Sequence, residues 1–388
     1  MAGEWRDITL GDFVSLQRGH DLTEPDRRPG SIPVVGSAGH NGFHDTALCK
    51  GPGIVVGRSG ASFGQVHFSP VDFWPHNTGL YVTDFKGNDQ RFAFYFLKAL
   101  DFDRYNSGSA QPSLNRNFIY PIPVRIPPVA EQKAIAAVLG ALDDKIELNR
   151  RMNATLEAMA RALFQSWFVD FDPVRAKLDG GKPEGLDKAT AALFPAAFQD
   201  SPLGPIPKGW EVRLLGDVIE LAYGKPLRAE DRKGGSICVY GANGPVGSHD
   251  EKLVSGPGIV VGRKGNPGVV TWAHGDFYPI DTTFYVVPTG DCRSLYFLYY
   301  ALSLHDLANL SADSAVPGLN RNHAYMSKQV IPKQQLLEAF EAQVSPLFAS
   351  THANTEQSRT LATLRDTLLP KLLSGELAVH PALGNVKS

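Results

Sequence analysis

Two glycine-containing loops carry the side chains with the clearest capacity for chemistry. Residues 57–62 read Gly-Arg-Ser-Gly-Ala-Ser, and residues 262–267 read Gly-Arg-Lys-Gly-Asn-Pro. Glycine lets the backbone approach a ligand closely, and an arginine can donate two hydrogen bonds to guanine O6 and N7 or hold a phosphate. The loops therefore indicate contact with nucleic acid, and ordinary turns with solvated charges are the alternative interpretation.

A second pair of segments is rich in amide and guanidinium donors. Residues 111–117 read Gln-Pro-Ser-Leu-Asn-Arg-Asn, and residues 316–322 read Val-Pro-Gly-Leu-Asn-Arg-Asn. Such donors suit both base edges and the sugar–phosphate backbone. The alternative interpretation is that they cap the strand that follows.

Both pairs arise because the chain contains one unit twice. An offset of 205 places Leu-Asn-Arg-Asn at 114–117 on the same four residues at 319–322. The longest shared segment, Gly-Pro-Gly-Ile-Val-Val-Gly-Arg, occurs at 51–58 and again at 256–263. Positions that repeat should form the scaffold or touch phosphates, which look alike in every DNA sequence. Polar positions that differ between the copies are where base preference could lie.

Repeated and divergent positions together give the candidate nucleic-acid contacts. In the first copy they are His40, Asn41, Arg58, Ser59, Ser62, Gln111, Asn115 and Arg116. In the second copy they are Asn243, Arg263, Lys264, Asn266, Asn320 and Arg321. Drift between the copies is the alternative explanation for the divergent positions.

Motifs for catalysis are absent from the sequence. It has no G-x-x-x-x-G-K-[ST] phosphate loop, no H-E-x-x-H, no G-x-S-x-G, no C-x-x-C and no Asn-Pro-Pro-aromatic motif of an adenine methyltransferase. His40, His44 and Cys49 could suggest a metal site, but only one of these three ligands recurs in the second copy. We therefore predict no catalytic residue and no metal on this chain. A duplicated enzyme that uses His44 with Asp45, and the equivalent pair at 249–250, is the rival hypothesis.

The elements that position these loops follow the same order in each copy. Short β-branched runs at 53–56 and 258–261 lie between Gly, Pro and Asn residues, which predicts strands. The aromatic stretches 91–100 and 295–302 have apolar residues three and four apart, which predicts helices. Each copy therefore begins with a globular α+β domain.

A long helix is predicted after each of these domains. Between residues 130 and 168, Gly140 is the only Gly or Pro, and apolar residues recur at seven-residue steps. About 40 residues at 1.5 Å each give a rod of roughly 60 Å. In the second copy, Pro346 and Pro370 should bend or break the helix. The residues predicted to pack the helices together are Ile135, Leu142, Asn149, Leu156 and Leu163, with Phe340, Leu347, Asn354, Leu361 and Leu368.

The two asparagines in that set occupy the same repeat position. A buried polar residue in a helical seam can fix the register of the two helices at some cost in stability. The alternative is that Asn149 and Asn354 face solvent.

Composition sets limits on the class of protein. Hydrophobic residues make up 43% and charged residues 20% of the 388, which is typical of globular protein. No apolar run is long enough for a membrane span, and three cysteines without metal spacing favour the reducing cytoplasm. The net charge is −2, so a nucleic-acid ligand would have to be held by base-edge contacts or with a partner protein.

Three stretches resemble the specificity (S) subunit of Type I restriction–modification systems. The first is Gly-Ser-Ala-Gln-Pro-Ser-Leu-Asn at 108–115, which runs into Ile-Pro-Pro at 126–128 and Glu-Gln at 131–132. The others are Phe-Gln-Ser-Trp-Phe-Val-Asp-Phe-Asp-Pro at 164–173 and Leu-Arg-Asp-Thr-Leu-Leu-Pro-Lys-Leu-Leu-Ser-Gly at 364–375. The resemblance covers nearly the whole chain.

The resemblance implies that this chain recognises DNA and that partner subunits perform the catalysis. Two target recognition domains would each read one part of a bipartite, asymmetric site in double-stranded DNA, and two antiparallel helices would set the spacing. Two modification (M) subunits would dock on the chain, bind S-adenosylmethionine and methylate adenine, and restriction (R) subunits could join them. The chain itself would carry no cofactor and no catalytic residue. A purely structural adaptor, for which the loop arginines are dispensable, is a second rival.

The domain boundaries follow from the repeat and from the helical pattern. The two recognition domains are predicted at 1–128 and 210–334. The first spacer helix is predicted at 129–170, a polar connector at 171–209, and the second spacer helix with its tail at 335–388.

Overall fold

Short strands separated by turns form the first part of each copy of the repeat. The computed structural model describes residues 4–108, 112–310 and 318–379. In the first copy the elements are β1 Arg6–Thr9, α1 Leu10–Phe13, β2 Ser15–Arg18, β3 Ile32–Gly36, β4 Gly39–His44, β5 Gly53–Gly57, β6 Val66–Ser69, β7 Trp74–Pro75, β8 Gly79–Asp84, α2 Gln90–Ala99, α3 Arg116–Ile119 and β9 Pro123–Ile126. Between the copies lie α4 Val129–Phe168, α5 Asp172–Leu178, α6 Lys188–Leu193, β10 Phe198–Gln199 and β11 Ile206–Pro207. In the second copy they are β12 Glu211–Leu214, α7 Leu215–Val218, β13 Ile219–Tyr223, β14 Ile237–Gly241, β15 Gly244–His249, β16 Gly258–Gly262, β17 Val270–Ala273, β18 Phe277–Pro279, β19 Thr283–Pro288, α8 Leu295–Leu304, α9 Arg321–Tyr325, β20 Lys328–Ile331 and α10 Gln334–Ser374.

The strands pair in the same order in both copies. The first copy has the sheets β1-β9, β2-β8-β5-β6 and β4-β3-β7, and the second has β12-β20, β13-β19-β16-β17 and β15-β14-β18. The runs of β-branched residues in β5 and β16 are buried along their whole length, inside the four-stranded sheets. The predicted α+β fold with two repeated domains and long helices is confirmed.

The boundaries of the two compact units differ from the boundaries of the two sequence repeats. Unit 1 consists of residues 1–148 and 357–388, and unit 2 consists of residues 149–356. Each unit therefore contains one sheet domain and a segment of each long helix. In the core of unit 1, Leu372 of α10 joins Ile135 and Leu139 of α4.

The core of unit 2 is rich in aromatic rings. The ring of Phe340 in α10 lies 6.0 Å from that of Phe164 and 5.9 Å from that of Trp167, both in α4. The amide of Asn149 donates to the carbonyl of Asn354 at 3.2 Å, so the start of the α4 segment in unit 2 meets the end of the α10 segment in the same unit. The two segments are antiparallel within the unit.

The predicted seam residues differ in burial. Asn149 is fully buried, and Asn354 is half-buried with its side-chain amide donating to Asn153 Oδ1 at 2.9 Å. Of the other predicted seam residues, Ile135 and Phe340 are buried. The remainder are half-buried, namely Leu142, Leu156, Leu163, Leu347, Leu361 and Leu368.

The expectation that α10 breaks at a proline is wrong. The helix α10 does not break at Pro346 or Pro370 but continues to Ser374. Proline removes one hydrogen bond from a helix, and the buried Val344 and Leu372 beside the two prolines keep the helix packed. The segment 171–209, predicted as a polar connector, contains α5, α6, β10 and β11, and its Phe194 and Ile206 are buried in the core of unit 2. No helix in the described ranges is both long and apolar enough to cross a membrane.

Candidate nucleic-acid interface

A basic cleft lies at the end of β2 in unit 1. Its volume is about 470 Å³, and three of its lining residues are arginines: Arg18, Arg58 and Arg116. The rest of the lining is Gln17, Gly19, His20, Leu80, Ser107, Ser113, Leu114 and Asn115. Since a guanidinium group carries a permanent charge and five donor hydrogens, the cleft suits an anionic or acceptor-rich ligand.

Arg58 is positioned by the end of the buried strand β5. Its backbone N–H donates to Thr78 O at 2.9 Å, and its Nη1 donates to Asn77 O at 3.0 Å. The preceding Gly57 is required by the loop itself, because a side chain there would come within 2.1 Å of the carbonyl oxygen of Ser62. The bond to Asn77 uses one of the five donor hydrogens of the guanidinium and leaves the others for a ligand.

Arg116 and Asn115 have structural contacts as well as a place in the cleft. Asn115 caps the short helix α3, with its side-chain oxygen accepting from the N–H of Asn117 at 3.0 Å. Arg116 Nη1 donates to the carbonyl of Leu16 at 2.9 Å. The capping expected from this segment is therefore present, although it serves a helix where a strand was expected.

The second copy repeats these contacts in unit 2. Asn320 caps α9 by accepting from the N–H of Asn322 at 3.0 Å. Arg321 Nη1 donates to the carbonyl of Leu221 at 3.4 Å, which is the bond between Arg116 and Leu16 moved by 205 residues. Repetition of the contact indicates that anchoring the arginine to the second strand of the domain belongs to the scaffold.

An aromatic ring contacts both arginines of unit 2. The ring centre of Tyr223 is 5.0 Å from Cζ of Arg263 and 5.1 Å from Cζ of Arg321, which is cation–π distance. Neither Tyr223 nor Arg18, the last residues of β13 and β2, was predicted from the sequence. They stand 205 residues apart, so extending the comparison of copies beyond the glycine loops would have found them.

The other predicted contacts of unit 1 do not line this cleft. His40 and Asn41 are exposed on β4, where the His40 ring lies 4.6 Å from that of Phe43. Ser59 and Ser62 are half-buried, and the backbone N–H of Ser59 donates to Ser37 Oγ at 3.3 Å. Gln111 lies outside the described residues.

The remaining predicted contacts of unit 2 are exposed. Asn243 lies in the turn between β14 and β15. Lys264 and Asn266 lie in the loop after β16, where the Lys264 backbone N–H donates to Thr282 O at 3.1 Å. Their exposure leaves these side chains accessible to a large ligand, as a base-contacting role requires.

His44 and Asp45, the pair of the rival enzyme hypothesis, both contact Arg28. His44 is buried, and its Nδ1 accepts from the backbone N–H of Arg28 at 3.1 Å. The Arg28 guanidinium donates to both carboxylate oxygens of Asp45, at 2.6 and 3.0 Å, and lowers the pKa of Asp45 to about 2. In the second copy, His249 accepts from the backbone of Lys233 at 3.3 Å. The contacts join one loop to one hairpin in each copy, and among the described residues no three metal-ligating side chains cluster.

Comparison with known proteins assigns this architecture to a family. Residues 2–158 and 207–332 match the family model described as Type I restriction modification DNA specificity domain. The specificity subunit of the Type I restriction enzyme HindI from Haemophilus influenzae is 28% identical over 332 residues, which cover 69% of this chain and 71% of that protein. The MjaIX specificity subunit from Methanocaldococcus jannaschii is 26% identical over 318 residues, covering 74% of this chain and 69% of that one.

A solved structure has the same fold. The crystal structure of a Type I restriction–modification system S subunit from M. genitalium superposes with a TM-score of 0.60 at 20% identity. The match covers 95% of this chain and 96% of that one. The tandem pair of sheet domains with long helices is therefore shared across the length of both chains.

Proposed function

This chain belongs to the Type I restriction–modification DNA specificity family, and from that premise we propose that each of its two domains reads one half of a bipartite, asymmetric DNA site. The observation that carries the proposal is the repeated pair of anchored arginines. Arg58 and Arg116 line one cleft, and Arg263 and Arg321 flank Tyr223 in the other domain. Equal scaffolds with unequal neighbouring side chains suit two half-sites of different sequence.

The chemistry of the arginines supports direct contact with DNA. A guanidinium fork matches guanine O6 and N7 in the major groove, and it also matches a phosphate. The backbone anchors of Arg116 and Arg321 hold these side chains in place before the ligand arrives. Less rotamer freedom is then lost when DNA binds.

The near-neutral charge of the chain supports a role within a complex. With a net charge of −2, the chain lacks the excess of basic residues on which non-specific DNA binding depends. We propose that two M subunits complete the positive surface around the DNA, carry the S-adenosylmethionine and perform the methylation. R subunits can join the same complex, and its place in the cell would be the cytoplasm. No catalytic residue is assigned to this chain.

The long helices are proposed to set the distance between half-sites and to dock the M subunits. The helices α4 and α10 have 40 and 41 residues, so each is roughly 60 Å long. Two helical turns of B-DNA span roughly 70 Å, which makes helices of this length suitable as a ruler. Leu148, Met152 and Met159 are large apolar side chains of α4 that remain exposed and could take part in docking.

The test is to express the chain with its M subunit and to map methylated adenines across a genome. We expect a motif with two specified parts separated by unspecified bases. Arg58→Ala should weaken binding through the first domain and Arg263→Ala through the second, whereas the exposed Arg104 and Arg228 provide matched control substitutions. A continuous motif, or none, would contradict the proposal. DNA binding that is unchanged by Arg58→Ala and Arg263→Ala together would favour the structural adaptor.

A further inference from the structure

The arginine sites of the two domains differ at the position that ends the second strand. Arg18 ends β2 and Tyr223 ends β13, so the two residues occupy the same place in the repeat. Their surroundings are shared: the backbone two residues earlier, at Leu16 and Leu221, accepts from the anchored arginine in each copy. The backbone contacts are therefore the same in the two copies, whereas the side chain at the end of the strand differs.

In unit 1 this position adds a third cation to the cleft. Arg18 Nη2 lies 3.2 Å from Asp21 Oδ1, and the two side chains are 55% and 70% exposed. An ion pair this exposed is weak and is readily exchanged for another acceptor. The cleft can therefore direct three guanidinium groups at a ligand: those of Arg18, Arg58 and Arg116.

In unit 2 the same position supplies a ring in contact with both arginines. Tyr223 lies within 5.1 Å of each guanidinium carbon and is 51% exposed. Cation–π contact restricts where a guanidinium group can lie, so Tyr223 limits the geometries open to Arg263 and Arg321. The ring also offers an apolar edge and a hydroxyl that can donate or accept one hydrogen bond.

We propose that the residue at the end of the second strand, Arg18 or Tyr223, is a specificity-determining residue of each domain. The inference rests on the proposed function, since it assumes that each cleft faces DNA. With Arg18, the first domain gains a donor fork suited to guanine O6 and N7. With Tyr223, the second domain exchanges that fork for a ring, which suits an apolar contact such as the methyl group of thymine.

The alternative is that Tyr223 only positions Arg263 and Arg321. A positioning role and a specificity role predict different results. Loss of positioning weakens binding to every sequence alike, whereas a changed base contact alters which base is preferred at one position. A bidentate arginine contact discriminates between bases by roughly five- to 150-fold, which is large enough to resolve in a methylation map.

The experiment uses the full complex of the chain with its M subunit and a library in which both half-sites are randomised. We expect Tyr223→Arg to raise guanine at one position of the second half-site by at least roughly fivefold and to leave the first half-site unchanged. Arg18→Tyr should lower guanine at one position of the first half-site only. Leu304→Arg adds the same charge at an exposed site on α8 of the same unit and should change neither half-site.

Three results would overturn or separate the claims. Uniform weakening by Tyr223→Arg and Arg18→Tyr, with both half-sites unchanged, would overturn the specificity role. Tyr223→Phe keeps the ring and removes the hydroxyl, so it tests the position even if Tyr223→Arg fails to fold. It should retain the wild-type base preference of the second half-site, and a changed preference would overturn the proposed contact through the ring. If the wild-type complex itself methylates no bipartite site, the proposed function fails, and the wild-type measurement shows this before any variant is compared.

Discussion

The residue Asp143 in α4 offers a sharp test of how unit 1 is held together. Tyr95 in α2 donates its hydroxyl to Asp143 Oδ2 at 2.6 Å, and Arg365 in α10 donates to Asp143 Oδ1 at 2.6 Å. One carboxylate thus joins the sheet domain to both long helices. Burial raises the pKa of the Tyr95 hydroxyl, and the hydrogen bond to Asp143 raises it further, so this hydroxyl remains a donor.

The stability that unit 1 should lose in the variant Asp143→Ala can be derived from these contacts. Removing one partner of a buried ion pair costs about 3–5 kcal/mol. Here Arg365 and Asp143 keep 17% and 24% of their side-chain surface exposed, and Arg365 retains Asp366 at 2.7 Å. We therefore expect a smaller destabilisation of unit 1, about 2–3 kcal/mol. Asp143→Asn retains the hydrogen-bonding oxygen and should cost about 1 kcal/mol.

Native-state hydrogen exchange can assign the loss to one unit. Amides of α2 should lose protection in Asp143→Ala, while those of α8 in unit 2 should not change, since α8 is held by other contacts. The control is Asp101→Ala, which removes an exposed pair with Arg104 and should cost under about 1 kcal/mol. Equal loss of protection in α2 and α8, or a loss in α2 no larger than in the control, would refute the reasoning.

The second copy suggests a rescue of the same variant. Phe348, Tyr300 and Ala160 stand at the repeat positions of Asp143, Tyr95 and Arg365, and the rings of Phe348 and Tyr300 are 6.1 Å apart. The double change Asp143→Phe with Arg365→Ala should therefore cost less than Asp143→Ala alone, because it removes both charges and fills the space.

Three further predictions concern titration and capping. The Asp45 carboxylate should titrate near pH 2 by NMR, and Arg28→Ala should return the midpoint toward the ordinary value of 3.8, since the hydrogen bond from Arg28 is the main cause of the lowered pKa. Burial, and then the electrostatic interaction with His352, whose ring stacks on that of His274, lower the pKa of His274 to about 4. At His274 the unfolded chain therefore binds more protons between pH 6.5 and 4, so this group should lower the urea midpoint of unit 2 as pH falls through that window, and His274→Phe should reduce the dependence on pH. Asn320→Ala removes the cap of α9 and should lower the stability of unit 2 by about 1 kcal/mol in urea unfolding, whereas Asn320→Asp should not.

The fold was predictable where the sequence repeats itself or keeps a period. The buried strands β5 and β16 and the helices α2 and α8 follow from local composition, and each copy supports the interpretation of the other. The antiparallel arrangement that brings Leu372, near the end of α10, into the same core as Ile135, near the start of α4, was expected only from the family resemblance, because it has no local signal in the sequence.

The candidate site was predicted in part. Arg58 and Arg116 were selected from their loops, and both line the cleft. The anchor that holds Arg116, the carbonyl of Leu16, is 100 residues away in sequence and is a backbone group that any residue type could supply. Tyr223 was missed because it ends a strand, where an aromatic residue is ordinarily a packing residue.

The way in which chain segments are divided between the two units has a consequence for synthesis on the ribosome. Unit 2 is a continuous stretch, 149–356, whereas the core of unit 1 needs Leu372 from near the end of α10. At roughly 5–20 residues per second, the 224 residues from 148 to 372 take about 10 to 45 s to translate. During that interval the apolar surface that Leu372 will cover is exposed on the nascent chain, so the domain that is made first is the one that is completed last.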